Sequence, residues 1–266
     1  MRRRARPVIA LLTDFGTRDW YVAQMKGVLL SRAPSAQLID ITHEISPHDI
    51  LGGAFALAAA LPWLPRGTVA LAVVDPGVGT SRALLAAAID DRFVVGPDNG
   101  LLSLVLARAR RKTMVRLANP HVPRRRVSRT FHGRDWLAPA AAYLAAGGSL
   151  RRLGPTVRTV HELSLPAVVA QGRGVRGAVL HIDHFGNLIT NLEAARWRRD
   201  RRGSGMIRYR GRSAAVVSSY ADAPPGVLVA LVGSLGFWEL AVRDASAAQR
   251  FHAKRGDAVT LARSAS

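Results

Sequence analysis

The chain contains no cysteine, which excludes disulfides, thiol nucleophiles and thiolate metal sites. Aromatic residues make up only 6% of it and do not interleave with its basic clusters, so the stacking platform of a single-strand nucleic-acid binder has no basis here. Long apolar runs are missing too. The longest, such as Leu51 to Leu64, are broken by glycine, proline or charge before reaching the roughly 18 to 20 residues that span a bilayer, and no transmembrane helix is expected. No Walker A loop occurs, and no G-x-G-x-x-G stands between a strand and a helix, which removes the usual sequence grounds for nucleoside triphosphates and dinucleotides.

Acidic residues are also scarce, 18 against 38 basic ones, for a formal net charge of +20. Such an excess normally points to phosphate-bearing partners. Here it is mostly arginine, with lysine only at Lys26, Lys112 and Lys254, and it is scattered. The concentrations at Arg108 to Lys112 with Arg124 to Arg126, and at Arg196 to Arg202, read as solvated faces. Nucleic acid is not an expected partner. Four arginines stand in Met1 to Pro7, but the apolar Val8 to Leu12 is too short for a signal peptide, and a cytoplasmic protein is expected. His43 and His48 with Glu44 and Asp49, and His181 and His184 around Asp183, do not make a known metalloenzyme ligand set, so no metal is expected.

Hydrophobic residues are plentiful, at 48%. Val8 to Leu12, Leu38 to Ile41, Val69 to Val74, Leu84 to Ile89 and Phe93 to Val95 read as short buried strands. Val22 to Arg32, Ile50 to Leu61, Leu101 to Ala109 and Trp136 to Ala146 have helical spacing. This alternation predicts an α/β domain with a mostly parallel sheet over residues 1–160, whose ligands gather at the carboxyl ends of strands. After a glycine-rich linker at 161–176, short strands separated by polar turns predict a smaller all-β, barrel-like domain at 177–266.

Val73-Val74-Asp75-Pro76-Gly77-Val78-Gly79-Thr80-Ser81-Arg82 is a strand that delivers a carboxylate into a loop whose glycines permit close backbone approach. Asp75 and Arg82 could pair across it, as a site or as an ordinary structural ion pair. His132, in Thr130-Phe131-His132-Gly133-Arg134-Asp135 before a helix, can do acid or base work near neutrality, or can be structural. Asp14 closes the first strand. Asp183-His184-Phe185-Gly186-Asn187 and Gly233-Ser234-Leu235-Gly236 are turns whose polar groups could meet a ligand or simply form an Asx-rich turn.

Taken together, LLTDFG with D-x-YV and MKG, DITHEISPHDI at 40–50, VVDPGVGT at 73–80, GPDNGLLS at 96–103, TFHGRD at 130–135, IDHFGNLITN at 182–191 and GSLGFWELAV at 233–242 resemble the S-adenosyl-L-methionine hydroxide adenosyltransferase family, relatives of the fluorinating and chlorinating adenosyl transferases. The resemblance implies hydrolysis of S-adenosyl-L-methionine to adenosine and L-methionine, with no cofactor, in a homotrimer whose sites lie between one subunit's N-terminal domain and its neighbour's C-terminal domain. It implies a catalytic set at Asp75, Arg82 and His132. Asp14 is then expected at the ribose hydroxyls, Asp183 near the methionine end, Asn187 there or at the adenine edge, and Ser234 nearby. Halogenating relatives lack the acidic residue at the position of Asp75, because a carboxylate repels halide yet accepts a proton from water. The chain departs from the family in having Gly233 where asparagine is common and in its basic stretch at Trp197 to Gly205. Halide-dependent adenosyl transfer, or a non-catalytic S-adenosyl-L-methionine or nucleic-acid binder, are the alternatives.

Overall fold

The computed structural model describes residues 6–119, 121–123, 126–172, 174–196 and 205–263. Most of the two arginine-rich runs at 124–126 and 196–202, and the stretch 197–204, thus lie outside the described residues. The chain divides into two compact units, 1–163 and 164–266.

Unit 1 holds one seven-stranded sheet. Its strands are β1 (Val8–Thr13), β2 (Gln37–Thr42), β3 (Val69–Val73), β4 (Leu84–Ile89), β5 (Arg92–Pro97), β6 (Lys112–Arg116) and β7 (Thr156–Val157), in the order β2-β1-β3-β5-β4-β6-β7. The expected mostly parallel sheet is in fact mixed: β2, β1, β3 and β5 run parallel, while β4, β6 and β7 each pair antiparallel. The physical reason is connection length. Only Asp90 and Asp91 join β4 to β5, enough for a hairpin but not for the crossover that parallel neighbours need.

Four helices, α1 (Tyr21–Arg32), α2 (Ile50–Ala60), α3 (Ser103–Arg108) and α4 (Ala138–Ala145), cover this sheet. Side chains alternate across its faces with the two-residue period of a strand. Leu11, Leu71 and Val73 pack with Met25 and Leu29 of α1 and with Ala141 of α4. Their neighbours Leu12, Ala70 and Ala72 pack on the other face with Leu57 of α2 and Leu106 of α3. Both faces are dry, so the polar residues just past β1 and β3 are left to the strand ends.

Unit 2 contains β8 (Val169–Gln171), β9 (Gly174–Ile182), β10 (Leu188–Glu193), β11 (Gly205–Tyr209), β12 (Arg212–Val216), β13 (Leu228–Val232), β14 (Phe237–Val242) and β15 (Ala258–Arg263), with a short helix, α5 (Ala247–Arg250), and a 3-10 turn at Tyr220–Asp222. The order is β10-β14-β13-β12-β11-β15-β9-β8, and a further β10–β9 pairing closes seven of these strands into a barrel with β8 outside it. Leu188, Tyr209, Ala230, Leu240 and Val259 fill the interior. Residues 169–171, within the stretch read as a linker, are thus a strand of this unit.

Candidate active site

Thr13 at the end of β1 stands beside Val73 at the end of β3. Asp14 and Asp75 therefore leave the carboxyl ends of adjacent parallel strands, where an open α/β sheet gathers its ligands. The chain turns sharply after Asp75: the Val78 amide donates to the Asp75 carbonyl at 3.2 Å and the Thr80 amide to Gly77 at 3.1 Å. Gly79 has φ +83° and lies so close to the Arg129 carbonyl that a Cβ there would sit 2.8 Å from the oxygen. That contact presses the Asp75 loop onto the segment leading to His132.

This segment is itself fixed. The fully buried Asp135 takes the Ser128 amide at 2.8 Å and both Nε and Nη2 of Arg134 at 2.7 and 2.8 Å. His132 immediately precedes a π-helical turn, Gly133–Leu137, that runs into α4. Gly133 lies among Val73, Phe131 and Met25, which seats the turn directly against β3 and α1.

The result is a continuous hydrogen-bonded set. Arg82 Nε donates to Asp75 Oδ1 at 2.6 Å, and its Nη2 donates to Oδ2 of the same carboxylate. The Arg82 and Asp75 side chains are only 9% and 5% exposed, so this bidentate pair is held by the fold rather than by chance rotamers. Arg82 Nη2 also lies 3.2 Å from His132 Nδ1. A guanidinium can only donate, so Nδ1 must accept, which fixes the imidazole as the Nε2–H tautomer. Burial, and next the positive charge of Arg82, hold the His132 imidazole below its ordinary pKa. Both influences favour the neutral ring that the geometry requires.

Asp75 and His132 open on a cavity of about 210 Å³ that Phe15, Tyr21, Val73, Val78, Thr130, Phe131 and Gly133 also line. Phe131 packs edge to face on Phe15 and Tyr21, with centroids 5.7 and 5.4 Å apart. This aromatic wall was not singled out from the sequence. The available signal was the aromatic directly after Asp14, together with one each in D-x-YV and TFHGRD. Asp14 itself accepts the His48 amide at 2.9 Å.

In unit 2, Asp183 and Asn187 bracket the β9–β10 turn. The Asn187 amide donates to Asp183 Oδ1 at 2.8 Å and its Nδ2 to Oδ2 at 3.0 Å. Phe185 at the tip is 74% exposed. Ser234 lies exposed in the β13–β14 turn, and the preceding Gly233 backs onto the carboxylate of Glu239. Glu239 is a buried residue that sequence reasoning passed over, although a lone acid in the apolar strand Phe237–Val242 was its signal. Tyr220 donates to it. Burial, and next the nearby charge of Asp183, raise its pKa. Among the described residues no group of three or more histidine, aspartate or glutamate side chains is placed to hold a metal ion, and no helix is long and apolar enough to cross a membrane.

Residues 9–154 match the SAM hydroxide adenosyltransferase N-terminal domain and residues 177–260 its C-terminal domain. The chain is 41% identical to an (R)-S-adenosyl-L-methionine hydrolase of Thermus thermophilus, over 96% of this chain and 99% of that one. It is 28% identical to a fluorinase of Actinopolyspora mzabensis over 98% of each. Among solved structures, an uncharacterized conserved protein from Thermotoga maritima superposes with a TM-score of 0.88 at 34% identity, covering 96% of this chain and all (100%) of that one.

Proposed function

This chain belongs to the SAM hydroxide adenosyltransferase family, and we propose that it hydrolyses S-adenosyl-L-methionine to adenosine and L-methionine with Asp75, Arg82 and His132 as its catalytic set. The observation that carries the assignment of roles is the Asp75–Arg82–His132 chain of hydrogen bonds opening on the aromatic-walled cavity.

The sulfonium already activates the ribose 5′ carbon, because its departure releases a neutral thioether. The protein's task is therefore to align a water opposite sulfur and remove competing solvent. The water oxygen forms the new bond to the 5′ carbon, the carbon–sulfur bond breaks with its electron pair going to methionine's sulfur, and the water's proton passes to the Asp75 carboxylate and from there to bulk solvent. Each oxygen of Asp75 keeps a lone pair beyond its bond to Arg82, and that lone pair takes a hydrogen bond from the water. Arg82 has its role in fixing the carboxylate and stabilising hydroxide character. His132 presents Nε2–H, suited to orienting the oxygen. Asp14 is assigned to the ribose hydroxyls, Asp183 to the methionine end, and Asn187 and Ser234 to neighbouring contacts. No cofactor is invoked in this reaction.

Halide transfer is disfavoured by electrostatics, since a carboxylate held beside the nucleophile's position repels chloride and fluoride. The test is chromatography of the purified protein with S-adenosyl-L-methionine in halide-free buffer, with Asp75→Ala as control. Adenosine and methionine from the wild type alone are expected. An unchanged substrate peak, or a 5′-halo-adenosine when chloride or fluoride is added, overturns the reading. Homotrimer formation is part of the same proposal and predicts a light-scattering mass near three times the 28.6 kDa chain.

A further inference from the structure

The block at 40–50 carries a histidine for which the proposed reaction has no use. His43 is 4% exposed. Its Nδ1 lies 2.8 Å from Thr13 Oγ1 and its Nε2 3.1 Å from Asp40 Oδ1, and Asp40 Oδ2 accepts from Lys26 Nζ at 2.6 Å. Thr13 Oγ1 in turn accepts the Phe15 amide at 3.2 Å.

Proton inventory orders this chain. Nε2 faces a carboxylate, which can only accept, so a neutral imidazole carries its proton there; Nδ1 is then left to accept from the Thr13 hydroxyl, whose oxygen takes the Phe15 amide on a separate lone pair. The two bonds at Thr13 point one way, from the Phe15 amide to the hydroxyl oxygen and from the hydroxyl to His43 Nδ1; Nε2 makes no regular hydrogen bond but stands 3.1 Å from the Asp40 carboxylate, which also holds the Lys26 ammonium. The main chain repeats the tie: the Gly16 amide donates to the His43 carbonyl at 2.8 Å, from a left-handed φ of +65°. Between these two attachments lie only Asp14 and Phe15.

We propose that His43, acting through Thr13, is a positioning residue that holds the Asp14–Phe15 loop in its binding geometry. The proposal rests on the adenosyl-substrate reading, under which Asp14 meets the ribose and Phe15 walls the cavity. A buried histidine that merely fills space would not need its hydrogen bonds ordered toward the loop. One that positions the loop acts on substrate binding, because Asp14 and Phe15 touch the substrate away from the reacting carbon.

The test compares Thr13→Val with Thr13→Ser, and His43→Leu with His43→Asn, in the full chain. Steady-state kinetics with S-adenosyl-L-methionine are read beside hydrogen exchange of peptides covering residues 13–16 without substrate. Thr13→Val and His43→Leu should raise KM about tenfold while kcat changes by less than about threefold. Exchange should quicken at 13–16 but not across the sheet. Thr13→Ser, which keeps the hydroxyl, should restore KM and protection. Unchanged KM and exchange in a folded Thr13→Val variant overturns the proposal, as does a Thr13→Ser variant no better than Thr13→Val. If His43→Leu does not fold, the threonine pair alone decides. If the wild type does not turn over S-adenosyl-L-methionine, the reaction assignment fails, while exchange at 13–16 still decides the link between His43 and the loop.

Discussion

Asp75 and Asp183 are both carboxylates set in turns of functional residue types, yet the protein treats their charge in opposite ways. Asp75 has a guanidinium locked across both oxygens, and that guanidinium also meets His132 Nδ1, whose pKa is lowered first by burial and next by this positive charge. Among the described residues, the Asp183 side chain takes only the backbone and amide donors of its own turn. Its neighbour Glu239 rests on a tyrosine, and among the described residues no ion pair reaches either acid. One site carries its counter-charge in the fold. The other holds a buried Glu239 whose pKa is raised first by that burial and further by the charge of Asp183, an arrangement that the ammonium of the proposed substrate would relieve. Under the proposed function, the first suits a reacting group that must not move, and the second a binding group that its ligand completes.

Several substitutions would break or sharpen this contrast. Asp75→Asn keeps the shape and removes the charge, and should lower kcat by about 10²- to 10⁴-fold with little change in substrate affinity by calorimetry. If affinity falls instead, Asp75 belongs to the binding class. Arg82→Lys keeps the charge but loses the fork, and should cost about 10²-fold in kcat, read by the same adenosine assay. Asp183→Asn should do the converse, raising KM about tenfold with kcat nearly preserved. A kcat-only effect there would erase the distinction between the two carboxylates.

Smaller effects follow from the supporting groups. Tyr220→Phe strips Glu239 of its donor and should lower stability by about 1–2 kcal/mol in denaturant titrations. The smallest expected effect is on pH. The folded His132 pKa lies below its ordinary value of about 6.5, so the unfolded chain binds more protons between the two values. Its contribution to stability is therefore present above the unfolded pKa and is lost as pH falls toward the folded one. Turnover should be level near pH 7 to 8 and decline on an acid limb with its midpoint below about 6.5. A His132→Asn variant should lack that limb.

Much of the fold was legible because the apolar runs of β1, β3 and β4 are dense and end in turn residues. What escaped notice has identifiable causes. β6 shows only Met114 and Val115 as buried positions between charged flanks, so it resembled a solvated basic face, and β7 spans just Thr156–Val157. Losing both antiparallel strands, and overlooking what a two-residue link between β4 and β5 implies, made the sheet read as mostly parallel. β10 was hidden inside IDHFGNLITN, where the turn chemistry of Asp183 to Asn187 drew attention from the strand that closes the barrel. In the site, Asp75 and Arg82 were legible as a pair because a short loop forces them together. The contact of Arg82 with His132 spans 50 positions and depends on Gly79 meeting Arg129, which no local pattern announces. The aromatic wall went unnoticed because each of its rings lies in a different segment.

The π-helical turn after His132 sets the direction in which the imidazole faces. Such a turn is an α-helix that has gained one residue without losing its axis. Removing a single residue from Gly133–Leu137 would let the helix regularise through α4 while rotating everything before it by about 100°, the angle per residue in a 3.6-residue turn. His132 would then face away from Arg82, although every side chain of the triad was still present. A comparison of family members that counts only matching letters would score such a chain as intact, whereas an alignment gap just after the histidine would mark it as having lost its imidazole from the cavity.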